Sequence, residues 1–321
     1  MIVALAVDGN PRFRLLTRVL IRSLRTHHPD IQIVVMDSSG GDSACGPLDS
    51  EGCRVIEARP AFDKVLGPVD SSAAYFRLDI PQIFSEDYVL YLDVDMLCVG
   101  SIEEVLESRP ACAAMVDEET RSWARSRALL AYLEGRQHLH YTYEGQDYYI
   151  PLSRESKTYN SGLMVIHAAR WREESIGQRI CKMIADNEAA IAPYGDQVAI
   201  NAFLGHYPHC ADLESSLKQE KAYGPLKRTV GSHLKAAIGR LEAPKRAIQE
   251  LSTRFNATPC VQGTEQAAII HYRGPKPWEE HNPKWEGMTG APFLTARNLW
   301  LEYLSAEERE RVAAWEKDYP R

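Results

Sequence analysis

The sequence lacks the cysteine patterns that mark disulfide frameworks and zinc sites. Its 321 residues include seven cysteines, and no two of them form a C-x-x-C pair. This spacing favours reduced thiols. No apolar run is long enough to cross a bilayer, and the start of the chain has neither the basic segment nor the small-residue cleavage site of a secretory leader. We therefore expect a cytoplasmic protein.

An excess of positive charge and a glycine-rich phosphate loop are also missing. The formal net charge is −7, which argues against non-specific binding of nucleic acid, and we expect no nucleic-acid partner. The first apolar run ends in Asp8-Gly9-Asn10 rather than in the G-x-G-x-x-G sequence of dinucleotide-binding proteins. A phosphate-bearing ligand would have to be held by another device.

Short apolar runs alternate with amphipathic stretches along much of the chain. Residues 2–7 and 31–36 flank an amphipathic stretch at 13–24, a strand-helix-strand pattern. Similar runs, typical of strands buried on both faces, recur at residues 88–92, 111–116, 162–167 and 267–272. The pattern predicts an α/β fold with a doubly wound, predominantly parallel sheet, whose ligands bind beyond the carboxyl ends of the strands.

Two segments are predicted to be additions to this sheet. Residues 121–158 combine a helical piece with a tyrosine-rich, hairpin-like pattern at 140–150. Residues 212–251 predict a basic helical insertion, interrupted at Gly224-Pro225 and at Pro244. We expect one main domain over residues 1–285 that includes this insertion, followed by a C-terminal helical extension over 286–321.

Paired carboxylates follow one of the buried strands. Asp93-Val94-Asp95 comes directly after the run at 88–92, and the alternation of a strand directs both carboxylates to one side. Two hard oxygen ligands beside a diphosphate suit Mg²⁺ or Mn²⁺. Taken alone, a D-x-D pair is equally compatible with a solvated turn.

A second polar cluster ends the apolar run at 267–272 and reads HYRGPKPW over residues 271–278. His271 would complete a metal shell through an imidazole nitrogen. Gly274 would let the backbone approach a phosphate, and Lys276 would supply a cation to it. A lone histidine is more often a core or surface residue, but the flanking sequence favours a ligand site.

These clusters are two of seven segments that carry a family resemblance. The chain resembles glycosyltransferase family 8, the GT-A-fold group that includes glycogenin and bacterial lipopolysaccharide sugar transferases. The matching segments follow the family's order over most of residues 1–285: AVDGN (6–10), YFRLDIP (75–81), VLYLDVD (89–95), YNSGLM (159–164), GDQ (195–197), RFN (254–256) and HYRGPKPW (271–278). The resemblance implies a GT-A-type, doubly wound and mostly parallel sheet in a catalytic domain over 1–285.

The resemblance also implies roles for single residues. The metal ligands would be Asp93, Asp95 and His271, and the metal Mn²⁺ or Mg²⁺. Gln197, facing the anomeric carbon, and Asp196 would be the catalytic pair. The residues that would bind the UDP-sugar donor, from uracil to diphosphate and sugar hydroxyls, are Asp8, Asn10, Arg77, Asp93, Asp117, Asn160, Asp196, Gly274 and Lys276.

The implied reaction is the transfer of a hexose from UDP-glucose or UDP-galactose to a glycan, glycolipid or protein acceptor, with retention of anomeric configuration. A front-side displacement fits this outcome. Because a glutamine cannot deprotonate an acceptor, Gln197 would act through placement and charge stabilisation.

Simpler interpretations of several residues stay open at this point. Asp8 and Asn10 are also typical of a turn after a strand, as is the segment at 160–162. Asp196 would equally cap a helix that begins near Gln197, and Arg77 would pair with Asp79 or with another surface acid. The sequence also departs from the family pattern, since Pro11 stands where an aromatic ring commonly stacks on uracil. Phe13 is the nearest ring.

The basic insertion supports two interpretations. Residues 218–254 contain nine Lys/Arg and three Glu, a net charge of +6 in a chain of −7, and the apolar residues among them recur at helical spacing. The apolar stripe either packs on the main domain, which leaves the charges solvated, or the helix contacts an anionic membrane surface or anionic acceptor. The second case would place the protein peripherally at the inner face of the membrane.

Two other functions are compatible with an α/β sheet and paired acids. A nucleotidyltransferase that makes nucleotide sugars needs a glycine-rich, basic loop after the first strand, and Asp8-Gly9-Asn10-Pro11 does not supply one. A non-catalytic sugar-nucleotide-binding scaffold would be favoured by loss of a metal ligand or of the glutamine, but all of these are present.

Overall fold

The computed structural model describes residues 1–39, 47–62, 72–117, 138–151, 158–191, 195–209, 247–260 and 265–317. Its strands are β1 (Ile2–Val7), β2 (Ile33–Asp37), β3 (Arg54–Glu57), β4 (Tyr88–Leu92), β5 (Met96–Cys98), β6 (Ala113–Asp117), β7 (His138–Tyr143), β8 (Gln146–Pro151), β9 (Tyr159–His167), β10 (Ile248–Leu251) and β11 (Ile269–His271). Its helices are α1 (Pro11–His27), α2 (Phe76–Ile83), α3 (Glu103–Leu106), α4 (Ala168–Glu173), α5 (Ile176–Asp186), α6 (Glu188–Ile191), α7 (Gly195–Gly205), α8 (Ala291–Glu302) and α9 (Ala306–Glu316).

A seven-stranded sheet in the order β10-β6-β9-β4-β1-β2-β3 forms the centre of the molecule. All six residues of β1 are buried, and they alternate between two core layers. Ala4 and Ala6 face the layer that includes residues of α2, α5 and α7. Val3 and Leu5 face the layer that includes apolar residues of α1. The sheet is therefore covered on both faces, and the predicted doubly wound α/β fold is confirmed.

Two predicted strands differ from the expected parallel arrangement. β9 is longer than the apolar run at 162–167 and lies antiparallel between β4 and β6. The run at 267–272 does not join the large sheet, because β11 pairs antiparallel with β5 in a separate two-stranded sheet. Apolar periodicity reports burial and not strand direction, so the sequence could not predict either arrangement.

The predicted additions are described only in part. The hairpin at 140–150 is confirmed as β7 and β8, which pair antiparallel. Residues 121–137 of this addition lie outside the described residues, as do residues 212–246 of the basic insertion. The end of that insertion was wrongly predicted as helical, because Ile248–Leu251 is strand β10, paired in parallel with β6. Backbone pairing at the sheet edge overrides the local pattern there.

The C-terminal helical extension is present as α8 and α9. Ser305 caps α9 in a reciprocal capping box with Glu308, and Glu308 accepts a hydrogen bond from Arg22 of α1 at 2.6 Å. Trp300 of α8 is fully buried. These contacts attach the extension to the first helix of the sheet domain. None of the helices in the described ranges is both long and apolar enough to cross a membrane.

Candidate active site

An open cleft lies where β1 and β4 end, at the carboxyl edge of the sheet. Parallel strands bring the residues that follow them to one edge, and for this reason Asp8 after β1 and Asp93 after β4 share the cleft. The lining residues are Ala6, Val7, Asp8, Phe13, Ala73, Ala74, Arg77, Tyr91, Asp93, Val94, Asp95, Asp196 and Lys276. Six of the predicted site residues are therefore brought together here.

Asp93, Asp95 and His271 each offer one ligand atom within 4.8 Å of the others. The backbone N–H of Asp93 donates to the Gly162 carbonyl at 2.7 Å, and that of Tyr272 donates to the Asp95 carbonyl at 2.9 Å. The small β5–β11 sheet thus places His271 beside the two aspartates. His271 Nε2 lies 3.0 Å from Asp95 Oδ1, a donor set that suits a hard divalent cation.

Lys276 also reaches this cluster. Its ammonium lies 2.7 Å from Asp95 Oδ2 and donates to the Tyr272 carbonyl at 2.7 Å. Burial raises the pKa of Asp95, but the opposing charges of Lys276 and His271 outweigh it and hold that pKa well below its usual value. Asp95 is therefore ionised, and the Lys276 ammonium lies beside it in the cleft.

Arg77 is the buried centre of the site, with 3% of its surface exposed. Its guanidinium donates to Asp93 Oδ1 at 2.8 Å and to the carbonyl and hydroxyl of Ser161 at 2.7 Å each, and it lies 3.3 Å from an Asp196 oxygen. Burial lowers the pKa of Arg77, but Asp196 and Asp93 more than restore it. The alternative pairing with Asp79 is wrong, because the Asp79 carboxylate accepts from the Ala61 N–H instead.

The start of β9 and the first turn of α7 form a second polar wall. Asn160 Nδ2 and the Ser161 N–H both donate to Gln197 Oε1, at 3.0 and 3.2 Å. Asp196 is the second residue of α7, which begins at Gly195, earlier than the sequence suggested. Burial raises the pKa of Asp196, and Arg77 opposes that shift. Of the two predicted catalytic residues, Gln197 thus contacts Asn160, and Asp196 contacts Arg77.

Of the remaining predicted donor residues, Asp8 lines the cleft, whereas Asn10, Asp117 and Gly274 are not among its lining residues. Asp8 Oδ1 accepts from the Asn10 N–H at 2.8 Å, and Asn10 caps α1 by accepting from the Arg12 N–H at 2.9 Å. The turn interpretation of these two residues therefore holds alongside any ligand role. Asp117 ends β6 opposite Tyr159. Phe13, the aromatic residue nearest to Pro11 in the sequence, lines the cleft.

Two residues of the site were not predicted from the sequence. A side chain at Gly162 would bring its Cβ within 2.6 Å of both Asp93 Oδ2 and His271 Cε1, so only glycine fits beside the cluster. By contrast, a Cβ on Gly274 would meet Met288 at 3.4 Å, an ordinary contact. Asn256, buried at 3% exposure, donates to Asn160 Oδ1 at 2.8 Å. Both lie within segments that the sequence analysis singled out, and that was the only available signal.

Comparison with known proteins agrees with this geometry. The family model "Glycosyl transferase family 8" matches residues 6–282. A lipopolysaccharide 1,3-galactosyltransferase of Salmonella typhimurium is 30% identical over 138 residues, which cover 41% of this chain and 36% of the relative. The lipopolysaccharide glucosyltransferase WaaO of Escherichia coli is 26% identical over 236 residues, covering 70% and 54%. The matches thus span about a third to a half of these relatives.

Among solved structures, the galactosyltransferase LgtC in complex with donor and acceptor sugar analogues superposes with a TM-score of 0.59. The two chains are 18% identical, and the match covers 97% of this chain and 99% of LgtC. At this identity the likeness concerns the fold alone. The family match, in contrast, extends over most of the sequence and includes every element of the cleft, and the chain therefore belongs to glycosyltransferase family 8.

Proposed function

We propose that this chain is a metal-dependent, retaining hexosyltransferase that takes its sugar from a UDP-sugar, with UDP-glucose or UDP-galactose as the donor. The observation that carries the proposal is the convergence of Asp93, Asp95 and His271 within 4.8 Å at the carboxyl edge of the sheet. The named activities of the two lipopolysaccharide transferases support a hexose as the transferred group.

The residues present fit a divalent metal of the Mn²⁺ or Mg²⁺ type. Two carboxylates and one imidazole supply oxygen and nitrogen ligands, and the missing side chain at Gly162 leaves the space between Asp93 and His271 open. When bound, such a metal would neutralise the charge of the departing diphosphate. Asp93, Asp95 and His271 would hold it, with Lys276 as a second cation toward the phosphates.

The other cleft residues divide by their position along the donor. Asp8 and Asn10 would bind the uracil, with the Phe13 ring as the apolar wall of the base pocket. Gly274, where a Cβ meets no close contact in the protein itself, would bring its backbone to the phosphates. The sugar hydroxyls would be bound by Asp117 of β6, Asn160 of β9 and Asp196 of α7.

Retention by a front-side displacement is supported by how the two catalytic residues are held. Asp196 is 7% exposed and ion-paired with Arg77, an arrangement that suits orientation of a hydroxyl better than nucleophilic attack. Gln197 presents an amide, which cannot remove a proton, and its oxygen is fixed by Asn160 and Ser161. Gln197 would therefore stabilise charge near the anomeric carbon.

The acceptor is proposed to be a glycan or glycolipid, in line with the names of the relatives. A protein acceptor, a cytoplasmic location and peripheral contact with an anionic membrane through residues 218–254 stay predictions. Most of that segment lies outside the described residues.

The test is a UDP-release assay with UDP-glucose, UDP-galactose and UDP-N-acetylglucosamine, with and without candidate acceptors and Mn²⁺. We expect UDP release that requires metal and stops with EDTA. Asp95→Asn keeps the shape of a ligand but removes its charge, and should lower turnover at least about 100-fold. Asp147→Asn is the matched control, because Asp147 also pairs with a histidine, His140 at 3.1 Å, away from the cleft.

Three results would contradict the proposal. Full activity of Asp95→Asn in metal-free buffer would rule out the metal role. Release of pyrophosphate from UTP and a sugar 1-phosphate would identify a nucleotidyltransferase instead. Firm UDP binding without UDP release across many acceptors would identify a non-catalytic scaffold.

A further inference from the structure

Asn256 links the proposed metal ligand His271 to Asn160 through buried hydrogen bonds. Its Nδ2 lies 2.8 Å from Asn160 Oδ1, and its Oδ1 lies 2.7 Å from His271 Nδ1. Its side chain is 3% exposed. The residue follows the short helical turn Thr253–Phe255. In the sequence it is recognisable only as part of the RFN segment at 254–256.

The orientation of both asparagine amides follows from one backbone group. The Gly162 N–H can only donate, and it points at the Asn160 side-chain atom 3.0 Å away, which must therefore be the oxygen. Since Asn256 contacts the same oxygen, it must present its NH₂ there and turn its own oxygen to His271. An oxygen accepts only, so His271 Nδ1 must carry a hydrogen.

The hydrogen on Nδ1 leaves Nε2 as the ring nitrogen that can bind a metal. With Nδ1 committed to Asn256, Nε2 of His271 faces Asp95 Oδ1 at 3.0 Å, and in the neutral form of the ring the lone pair is on that atom. A lone pair opposite a carboxylate is repulsive unless a cation lies between them. The hydrogen-bond chain thus presets the imidazole as a ligand.

The same chain continues away from the metal cluster. Asn160 uses its oxygen for Gly162 and Asn256, so its NH₂ is directed to Gln197 Oε1 at 3.0 Å. Gln197 is thereby held by a side chain whose orientation depends on Asn256. Substitution of Asn256 would therefore affect both His271 and Gln197.

We propose that Asn256 is a positioning residue with two functions. It keeps the hydrogen of His271 on Nδ1, with Nε2 toward Asp93 and Asp95, and it holds Asn160 in the orientation that supports Gln197. This inference deepens the proposed function and rests on it for the identity of the ligand that Nε2 binds.

The experiment follows the His271 ring hydrogen by NMR in ¹⁵N-histidine-labelled protein, metal-free and with Mg²⁺. We expect a slowly exchanging Nδ1–H signal in the wild type, assigned by its loss in His271→Gln. Asn256→Ala should remove the protection of this hydrogen and weaken Mn²⁺ binding, measured by electron paramagnetic resonance, about 10- to 100-fold.

Asn256→Asp separates the two functions. A carboxylate still accepts from His271 Nδ1, but it cannot donate to Asn160 Oδ1. The Nδ1–H signal should therefore persist, and the Mn²⁺ affinity should stay within about threefold of the wild-type value. The kcat should fall at least about tenfold, because the Asn160–Gln197 contact loosens. This variant also keeps the proposal testable if Asn256→Ala does not fold.

Asn201→Ala is the matched control. Asn201 is an equally buried asparagine that bonds both backbone groups of Tyr159 and the Gln197 carbonyl, so its loss lowers stability without touching His271. It should leave the Nδ1–H signal and the Mn²⁺ affinity unchanged.

The proposal is overturned if the wild-type ring hydrogen is not on Nδ1, or if Asn256→Ala retains both the signal and the metal affinity. It is also overturned if Asn201→Ala weakens Mn²⁺ binding as much as Asn256→Ala does. A protected Nδ1–H in a wild-type protein that binds no Mn²⁺ would contradict the metal assignment of the proposed function instead, so the two proposals fail separately.

Discussion

At the scale of single residues, Gln197 has both an internal and a proposed catalytic role. Its oxygen accepts from Asn160 and from the Ser161 backbone, so Gln197→Ala should cost about 1 kcal/mol of unfolding free energy. If the side chain also acts on the transition state, kcat should fall at least about tenfold while UDP affinity stays nearly unchanged. Steady-state kinetics and UDP titration give the two values.

Gln249→Ala is the control for this prediction. Gln249 lies on the edge strand β10, and its side chain donates to Ser108 Oγ. It should change neither kcat nor UDP binding. A Gln197→Ala protein that loses stability but keeps kcat would assign Gln197 a purely structural role.

The two glycines of the site predict opposite outcomes. Gly162→Ala would place a methyl group 2.6 Å from Asp93 Oδ2 and His271 Cε1. Displacing these ligands should weaken Mn²⁺ binding at least about tenfold and cost about 1 to 3 kcal/mol of stability. Gly274→Ala meets only ordinary contact in the protein, so it should fold normally and weaken donor binding alone.

Calorimetric titration with Mn²⁺ and with UDP distinguishes these effects. Gly205→Ala is the control, since no atom lies within 4 Å of its added Cβ and alanine favours a helix. Wild-type metal affinity in Gly162→Ala would show that the cluster tolerates displacement and would count against its role as a metal site.

The sequence predicted the chemically obvious residues of the cleft and missed those that orient them. Asp93 and Asp95 follow a buried strand, so their place at the sheet edge followed from the pattern, whereas His271 reaches them from the separate β5–β11 sheet. Gly162 matters only because β9 runs antiparallel to β4 and brings its first residues beside Asp93. No local pattern encodes that approach, and the same holds for the hydrogen bonds of Asn256.

At the scale of elements, the β7–β8 hairpin is held by an aromatic cluster around Arg179 of α5. The guanidinium lies 4.4 Å from the ring centre of Tyr148 and donates to the Tyr141 hydroxyl at 2.9 Å. His209 completes the cluster, with its Nε2 2.8 Å from the Phe203 carbonyl and its Nδ1 2.9 Å from the Tyr141 hydroxyl. Because a carbonyl only accepts, His209 carries its hydrogen on Nε2 and accepts from Tyr141.

This arrangement predicts a pH dependence of stability. Burial, with the nearby charges of Arg179 and His206, lowers the pKa of His209 to about 3, whereas an unfolded histidine titrates near pH 6.5. The contribution of neutral His209 is therefore complete above about pH 6.5. It is lost as the pH falls toward 3, by at most about 1.4 kcal/mol per pH unit.

His209→Gln retains a donor toward the Phe203 carbonyl and cannot ionise in this range. Urea unfolding from pH 7 to pH 4 should show a shallower loss of unfolding free energy in this variant than in the wild type. Parallel curves for the two proteins would contradict the assignment, and His140→Gln, a change at a half-exposed histidine, provides the control.

The elements themselves were predicted better than their partners. The hairpin and the strands β1, β2 and β4 follow from periodicity, because each is long enough to show its pattern. The apolar run at 267–272 indicated strand β11 but not its partner, and the four-residue β10 is too short to show a pattern. Their assignment depends on backbone pairing with β5 and β6, which are distant in the sequence.

At the scale of the whole molecule, the C-terminal extension is tied to the beginning of the chain. Arg22 of α1 bridges Glu51 and Glu308 through hydrogen bonds of 2.6 to 3.1 Å. Tyr272, the residue after His271, donates to the Ala296 carbonyl of α8 at 2.7 Å. The extension thus supports the site from behind, a role that its helical pattern alone did not indicate.

The two-stranded β5–β11 sheet makes the release of a metal ion a matter of local opening. Three residue pairs hold this ladder, and separating it would remove His271 from Asp93 and Asp95 while the seven-stranded sheet stays intact. A separate two-stranded ladder of this length can open locally, at a lower free energy than that of global unfolding. Mn²⁺ should therefore slow hydrogen exchange at the amides of residues 269–272 at least about tenfold and leave β1 unchanged, as peptide-resolved mass spectrometry would show. Uniform protection of both would mean that the ion departs only when the entire protein unfolds. Under the expected result, the opening of the three β5–β11 residue pairs determines how long the ion stays bound.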